Sequence, residues 1–498
     1  MLYFLLRGGA RCGKLSVGIA PDAVNEGKTQ VGEMNGSLKQ FLWVSKEERA
    51  LGPEHIGLGQ LALPILMENI LRATVGVIDV AFLSRISDSV VGAVSASSQY
   101  LTLIQIIATA LSAGSIVCIN QAIGMKNMKR VDRLATIAMA VNILLGLLVG
   151  ALCLWGSSAL LSIVTLEPSS MDAAVLYLRI VGGCSLFQCV EIVAAGLCRS
   201  MGRPNAPLII NLTENGINII GNYIAVFHGK ELGIDPLAGV AWATVLSRFT
   251  GMVLSTIIAH RTHVRISPKL LYPFPREDLK LTLSIAIPSG VNNIAYSMGQ
   301  IVTTAIISMT GEIMMATKVY MNNIAHYVSL VGMSAGTASA ILVGYKIGAG
   351  EFGEANRIRR LVTVIGLISN LAFSLIFLLF RYPLLSIFTQ DETIIRIGAN
   401  LFFLDIVVEI GRSLNNTCSG ALQATGDIRY QMFVNQLSCW FISVGCSWLF
   451  GIVFHMNLYG VWIAFALDEM TRGLLLLRRW RSMKWLPGAQ ARRKIIAK

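Results

Sequence analysis

Residues 57–83 read GLGQLALPILMENILRATVGVIDVAFL. A helix needs about 20 apolar residues to cross the hydrocarbon core of a bilayer, and this stretch is long enough. It also carries Glu68, Arg72 and Asp79. These fall at i, i+4 and i+11, so at 3.6 residues per turn they lie within about 40° of one another. An ionised side chain at the bilayer centre costs about 2.5–3.5 kcal/mol on insertion scales. The charged face must therefore turn toward other helices or toward water, which implies a bundle.

Working outward, the same pattern returns later in the chain. LALPILMENIL at 61–71 aligns with IAIPSGVNNIA at 285–295, pairing Pro64 with Pro288 and Asn69 with Asn293 at an offset of 224. Ile123-Gly124 and Ile347-Gly348 keep that offset, as do Gly202 in SMGRPN and Gly426 in ATGDIR. Gly239-Val240 and Gly460-Val461 are 221 apart. Shared Pro, Gly and Asn at one spacing indicate an internal duplication rather than chance likeness of apolar runs.

Apolar stretches of membrane-spanning length predict helices near 57–83, 92–122, 134–163, 173–199, 207–228 and 237–260. A second set is expected near 281–309, 314–346, 361–388, 394–423, 431–454 and 458–478. Six spans per copy is even, so both copies enter from the same side, related by a pseudo-two-fold along the membrane normal. The expected fold is an all-α membrane protein with twelve transmembrane helices in two pseudo-symmetric six-helix lobes around a central cavity. Loops after even-numbered helices hold sixteen Lys and Arg, against Arg85 and Lys230 after odd-numbered ones. The positive-inside rule then places both termini and the even loops in the cytoplasm, for a multi-pass protein of the cell inner membrane. The expected organisation is a disordered cytoplasmic leader over 1–55, an N-lobe over 56–262, a linker over 263–280, a C-lobe over 281–480 and a basic tail over 481–498.

Composition agrees. Of 498 residues, 54% are hydrophobic and 14% charged, against about 25% charged in soluble proteins. The net charge of +13 sits in loops and tail, and no basic-aromatic platform suggests nucleic acid. The nine cysteines form no C-x-x-C pair and the six histidines no H-E-x-x-H motif, so no structural metal or cofactor is expected. Gly8–Lys14 (GGARCGK) approaches a phosphate-binding loop, but Leu15 stands where a Mg²⁺-binding hydroxyl belongs. No catalytic constellation appears, so an enzyme is not expected.

Polar residues keep helical phase inside several spans. Helix 5 carries Asn211, Asn215, Asn218 and Asn222 with Glu214 alongside, and helix 10 carries Asp405, Glu409, Arg412 and Asn416. Helix 7 presents Asn292, Tyr296, Gln300 and Thr303, and helix 8 presents Lys318, Asn322 and His326. Such groups either hydrogen-bond helices together or face a transport path; Glu409 with Arg412 reads as a structural ion pair or as part of that path. Asp79 has no basic neighbour within a turn. Beside Asn218 and Asn222 it either binds Na⁺ through oxygens or takes up a proton, and each event changes the local charge by one unit.

The stretches LALPILMENILRATVGVIDVAFLSRISDSVVGAVSASSQ, GLCRSMGRPNAPLIINLTENGINIIGNYIAVF, GVAWAT and GALQATGDIRYQMF together resemble the multidrug and toxic compound extrusion (MATE) family, bacterial branch, over about residues 57–480. The resemblance implies a V-shaped exporter of small, organic cationic or amphipathic molecules, driven by antiport with H⁺ or Na⁺. It carries an N-lobe cation site onto Asp79, Asn218, Asn222 and Thr244, with Asn222 where the family's pattern has Asp. A possible Na⁺ would sit at Asp79 and Asn218. The C-lobe positions that hold a Glu and an Asp in other members are Tyr296 and Arg412 here, which puts that type of site in doubt. Glu68, Arg72, Glu214, Tyr296, Gln300, Glu409 and Arg412 are the expected cavity residues. Expected partners are a small-molecule substrate and membrane lipids, with the chain acting as a monomer.

The alternative is a flippase or exporter of a lipid-linked or polysaccharide precursor, which needs a more cationic cavity. A major facilitator transporter fits poorly, because GMKNMKRVDR at 124–133 lacks that class's loop signature. A channel lacks any filter-like sequence.

Overall fold

The computed structural model describes residues 41–162, 168–229, 231–262 and 264–497. They form twelve long helical segments, followed by a shorter C-terminal helix. These are α1 (Leu58–Leu83), α2 (Asp88–Gly124), α3 (Met128–Leu161), α4 (168–200), α5 (205–228), α6 (Pro236–His260), α7 (Arg276–Ser308), α8 (Glu312–Ala349), α9 (Phe352–Leu379), α10 (Glu392–Thr425), α11 (428–453), α12 (Asn457–Arg481) and α13 (Leu486–Ala497). Residues 1–40, most of the expected leader, lie outside the described set. Within 41–55, Lys46–Arg49 forms a short helix with a Ser45/Glu48 capping box. Gln60 ties this segment to α1 through Val44 O at 2.8 Å.

Seven of the described helices are long and apolar enough to span a bilayer by composition alone, or eight counting 170–182 and 185–200, bent by 45°, as one. Those that fall short are α5, α7, α10 and α12, each of which buries at least one carboxylate, such as Glu214, Asp278, Glu409 and Glu469. Their polar faces are tolerated because neighbouring helices cover them. The outer faces are the reverse. On α3, Leu144, Leu147, Leu148, Leu152 and Trp155 are all more than half exposed. A stripe this apolar on a polytopic bundle suits contact with acyl chains.

Three expected boundaries move. Helix 9 was expected at 361–388, but α9 starts nine residues earlier. Its first turns, FGEANRIRR, are too charged for a hydropathy count, yet Ala355, Ile358 and Arg359 are buried. Arg381 then falls beyond α9, in a short helix Arg381–Ser386, and adds a charge to the basic-poor side. Lys230 lies outside the described residues. The expected linker over 263–280 shortens, because α7 begins at Arg276. Asp278, buried in its first turn, pairs with Arg130 and Arg133 of α3. The expected basic tail folds as α13, which packs against the bundle.

The duplication is visible in the backbone. Gly202 and Gly426 both end a helix in the left-handed region, with φ of 71° and 78°. Where α2 crosses α8, a methyl on Gly124 would lie 1.9 Å from Tyr345 O, and one on Gly348 would lie 1.9 Å from Gln121 O. Tyr345 donates to Ser200 O at 2.6 Å, while Gln121 Nε2 donates to Ala424 O at 2.6 Å. Residues 121 and 345, 124 and 348, and 200 and 424 are related by the same offset of 224. The crossing therefore sits on the pseudo-two-fold axis and joins the two lobes at their basic-loop end.

Candidate functional site

Above this crossing a cavity of about 490 Å³ lies between the lobes. Asn69, Asn120 and Arg199 line it from one lobe, and Asn293, Asn416 and Gln431 from the other. Apolar side chains alternate with amides and hydroxyls, and Arg199 supplies one guanidinium. A second cavity, of about 650 Å³, opens within the C-lobe.

The four residues expected to form the N-lobe cation site meet. Asn222 Nδ2 donates to Asp79 Oδ1 at 2.9 Å and to Asn218 Oδ1 at 3.0 Å. Asn218 Nδ2 donates to Thr244 Oγ1 at 3.3 Å. Asn218 and Asn222 are buried, and Asn222 Oδ1 is a buried acceptor without a partner. Helical phase brings Asn218 and Asn222 to one face of α5, and α1 and α6 pack against that face. Tyr177 of α4 lies beside Thr244. No basic residue lies within a turn of Asp79 on α1, but Arg248 of α6 acts on it electrostatically from the facing helix. Arg248 is distant in sequence, so no local pattern could reveal it.

Deeper in the N-lobe the expected residues Glu68, Arg72 and Glu214 meet two others from α4. Arg199 Nη2 donates to both oxygens of Glu68, at 2.6 and 2.9 Å. Asn211 Nδ2 reaches Glu68 Oε1 at 3.3 Å. Arg72 Nη2 donates to Glu191 Oε1 at 3.2 Å, and its Nε lies 3.4 Å from Glu68 Oε1.

Tyr296, Gln300 and Arg412 line the C-lobe cavity rather than the one between the lobes. Glu409 and Arg412 form an ion pair. Arg412 Nε also lies 3.5 Å from Glu469 Oε1 on α12. Asp468 of α12 pairs with Arg472, whose guanidinium lies 5.3 Å from the Tyr296 ring centre. Asp405 accepts from Trp462 Nε1 at 3.2 Å. Sequence reasoning passed over Asp468, Glu469 and Arg472 as site residues, although their i, i+1, i+4 spacing inside an otherwise apolar span was a readable signal. Among the described residues no group of three His, Cys, Asp or Glu side chains could hold a metal ion.

Two helical lobes around a cavity, joined at one end by a symmetric crossing and each holding a buried ionic network, define a polytopic membrane transporter and not an enzyme. The MatE family model matches the chain twice, at residues 64–224 and 288–449, and the chain belongs to that family. It is 30% identical to an uncharacterized transporter, YisQ, of Bacillus subtilis, over 91% of this chain and all of that one. It is 28% identical to a probable multidrug resistance protein NorM of Thermotoga maritima, over 86% of this chain and 92% of that one. A solved structure described as the outward-facing conformation of a multidrug resistance MATE family transporter superposes with a TM-score of 0.79. That likeness covers 88% of this chain and 97% of the other at 19% identity, and it supports the fold. The flippase alternative is not favoured by these relatives.

Proposed function

We propose that this protein is a secondary antiporter that exports small organic cations or amphipathic molecules across the cytoplasmic membrane in exchange for H⁺, with Asp79 as the coupling group. The observation that carries this reading is the hydrogen-bonded chain from Asp79 through Asn222 and Asn218 to Thr244. It holds one carboxylate, and amide N–H groups already point at Asp79 Oδ1, Asn218 Oδ1 and Thr244 Oγ1. A Na⁺ site needs several oxygens converging on one point. Here the donors stand in their way, whereas a proton on Asp79 Oδ2 requires no rearrangement of ligands.

Orientation follows the charge bias, with both termini and the crossing of α2 and α8 at the cytoplasmic side. The division proposed is an N-lobe of α1–α6 and a C-lobe of α7–α12. Each network lies within one chain, so a monomer suffices. The bland lining of the inter-lobe cavity suits weakly selective binding of drug-like molecules, as the names of the multidrug-resistance relatives suggest.

Proteoliposomes loaded with a fluorescent organic cation test the reading under separately imposed pH and sodium gradients. A pH gradient alone should drive uphill movement and a sodium gradient alone should not. Sodium-driven transport at equal pH would overturn proton coupling.

A further inference from the structure

Glu214 of α5 is not explained by the Asp79 network. It is 8% exposed, with one carboxyl oxygen, Oε1, buried and without a hydrogen-bond partner. The carboxyl rests on the bare backbone of α6, where a methyl on Gly251 would lie 1.3 Å from Oε1. Its other neighbour is a second carboxyl, that of Glu191 on α4, at hydrogen-bonding range. Glu191 is itself 4% exposed.

The surrounding charges leave this pair short of cations. From α1, Arg72 divides its guanidinium between Glu191 and Glu68 and acts on Glu214 from beyond hydrogen-bonding range. From α4, Arg199 is engaged by Glu68. From α6, Arg248 is the remaining cation. It acts on Glu214 and on Asp79 from beyond hydrogen-bonding range, and its Nη1 is a buried donor without a partner. On α5 itself the neighbours are the amides Asn211 and Asn218, one turn to either side. Three buried carboxyls thus face two engaged guanidiniums. Two carboxyl groups in hydrogen-bonding contact need a proton between them, since neither anion can donate.

We propose that Glu191 and Glu214 form a second proton-binding site of the N-lobe, one helical turn of α5 inward from Asn218, and that Arg248 receives the Glu214 carboxylate when the proton leaves. In the protonated state Glu214 donates to Glu191. On release it becomes a carboxylate, and the unpaired Arg248 Nη1 on the facing helix supplies the opposite charge. Arg248 and Gly251 are three residues apart on α6, so the swing from one to the other spans a single turn. Because Arg248 also acts on Asp79, loss of a proton at Glu214 changes the field at the outer site. The two sites would then load and release in sequence.

The inference extends the proton reading above but is tested apart from it. Infrared spectroscopy of the purified full-length protein in lipid nanodiscs at neutral pH reads the C=O stretch of a protonated carboxyl directly. The wild type should show a band of which E214Q and E191Q each remove the same component, while Asp79→Asn keeps that component. Glutamine preserves the shape of the side chain, and either variant alone decides the matter should the other fail to fold. A band undiminished in E214Q overturns the proposal. A band lost only in Asp79→Asn does so as well. Should Asp79→Asn still export against a gradient while E214Q loses that component, the Asp79 reading fails and this one stands.

Discussion

Asp79 owes its character to what surrounds it more than to its helix. Its Oδ1 accepts from Asn222 at 2.9 Å, and an asparagine at 79 can accept the same bond through its own carbonyl. Asp79→Asn is therefore expected to fold and insert normally while losing uphill export in the proteoliposome assay. Export at the wild-type rate would remove Asp79 from the mechanism. At the C-lobe network, Arg412 is shared between Glu409 and Glu469. Breaking a buried ion pair by removing one partner costs about 3–5 kcal/mol. Arg412→Met, which strands two carboxylates, should lower stability by at least about that much in thermal unfolding followed in detergent. From the sequence, Glu409 and Arg412 look like an isolated pair, for which exchanging the two residues would preserve the bond. The third partner changes that expectation. A glutamate at 412 would face Glu469, so the exchanged protein should be about as unstable as Arg412→Met.

Among the elements, α4 and α5 share a device around Asp79. Each widens to π-helical turns just past a residue of the network, Leu178–Gly182 after Tyr177 and Ile224–His228 after Asn222. Such turns re-aim side chains without ending a helix. No hydropathy pattern marks them, since apart from Arg179 and His228 the residues remain apolar. α13 escapes hydropathy for the opposite reason, being basic and short. Arg492 donates to Thr425 O at 2.6 Å and Gly426 O at 3.2 Å, and Arg493 donates to Gly348 O at 2.9 Å. These carbonyls close α10 and α8, so the two arginines act as C-terminal caps supplied from another helix. Arg130 of α3 donates to Ile495 O at 3.2 Å, which ties α13 to the other lobe as well. Hydrogen bonds to charged groups contribute about 1.5–3 kcal/mol each. Replacing both Arg492 and Arg493 with Ala should lower the thermal midpoint measurably, with a larger loss than either single change. An unchanged midpoint would show that these caps contribute nothing.

For the whole molecule, the decisive contact is the crossing of α2 and α8. It brings backbone against backbone only because Gly124 and Gly348 lack side chains. Gly348→Leu cannot keep that approach. In a cysteine-free background, spin labels at Lys126 and Glu354 should report a longer and broader distance distribution in Gly348→Leu than in the parent. An identical distribution would mean that the crossing does not hold the lobes together. Alternating access requires the same contact to open in part of the cycle, so the variant should also bias the protein toward opening at its basic-loop end.

The sequence by itself determined the span count, the duplication at an offset of 224 and the polar faces of α1, α5 and α10. These are properties of periodicity, and a bilayer enforces periodicity strictly because it offers backbone and charges no hydrogen bonds. The meeting of Asp79, Asn218 and Asn222 was legible through the family resemblance and helical phase together. Only the tertiary structure decided which charges face one another across helices: Arg248 toward Asp79 and Glu214, Arg199 onto Glu68, and Glu469 onto Arg412. These partners lie between 34 and 169 residues apart in the chain. The energy of such contacts depends on distance in space and on burial, and neither can be read from spacing along one helix.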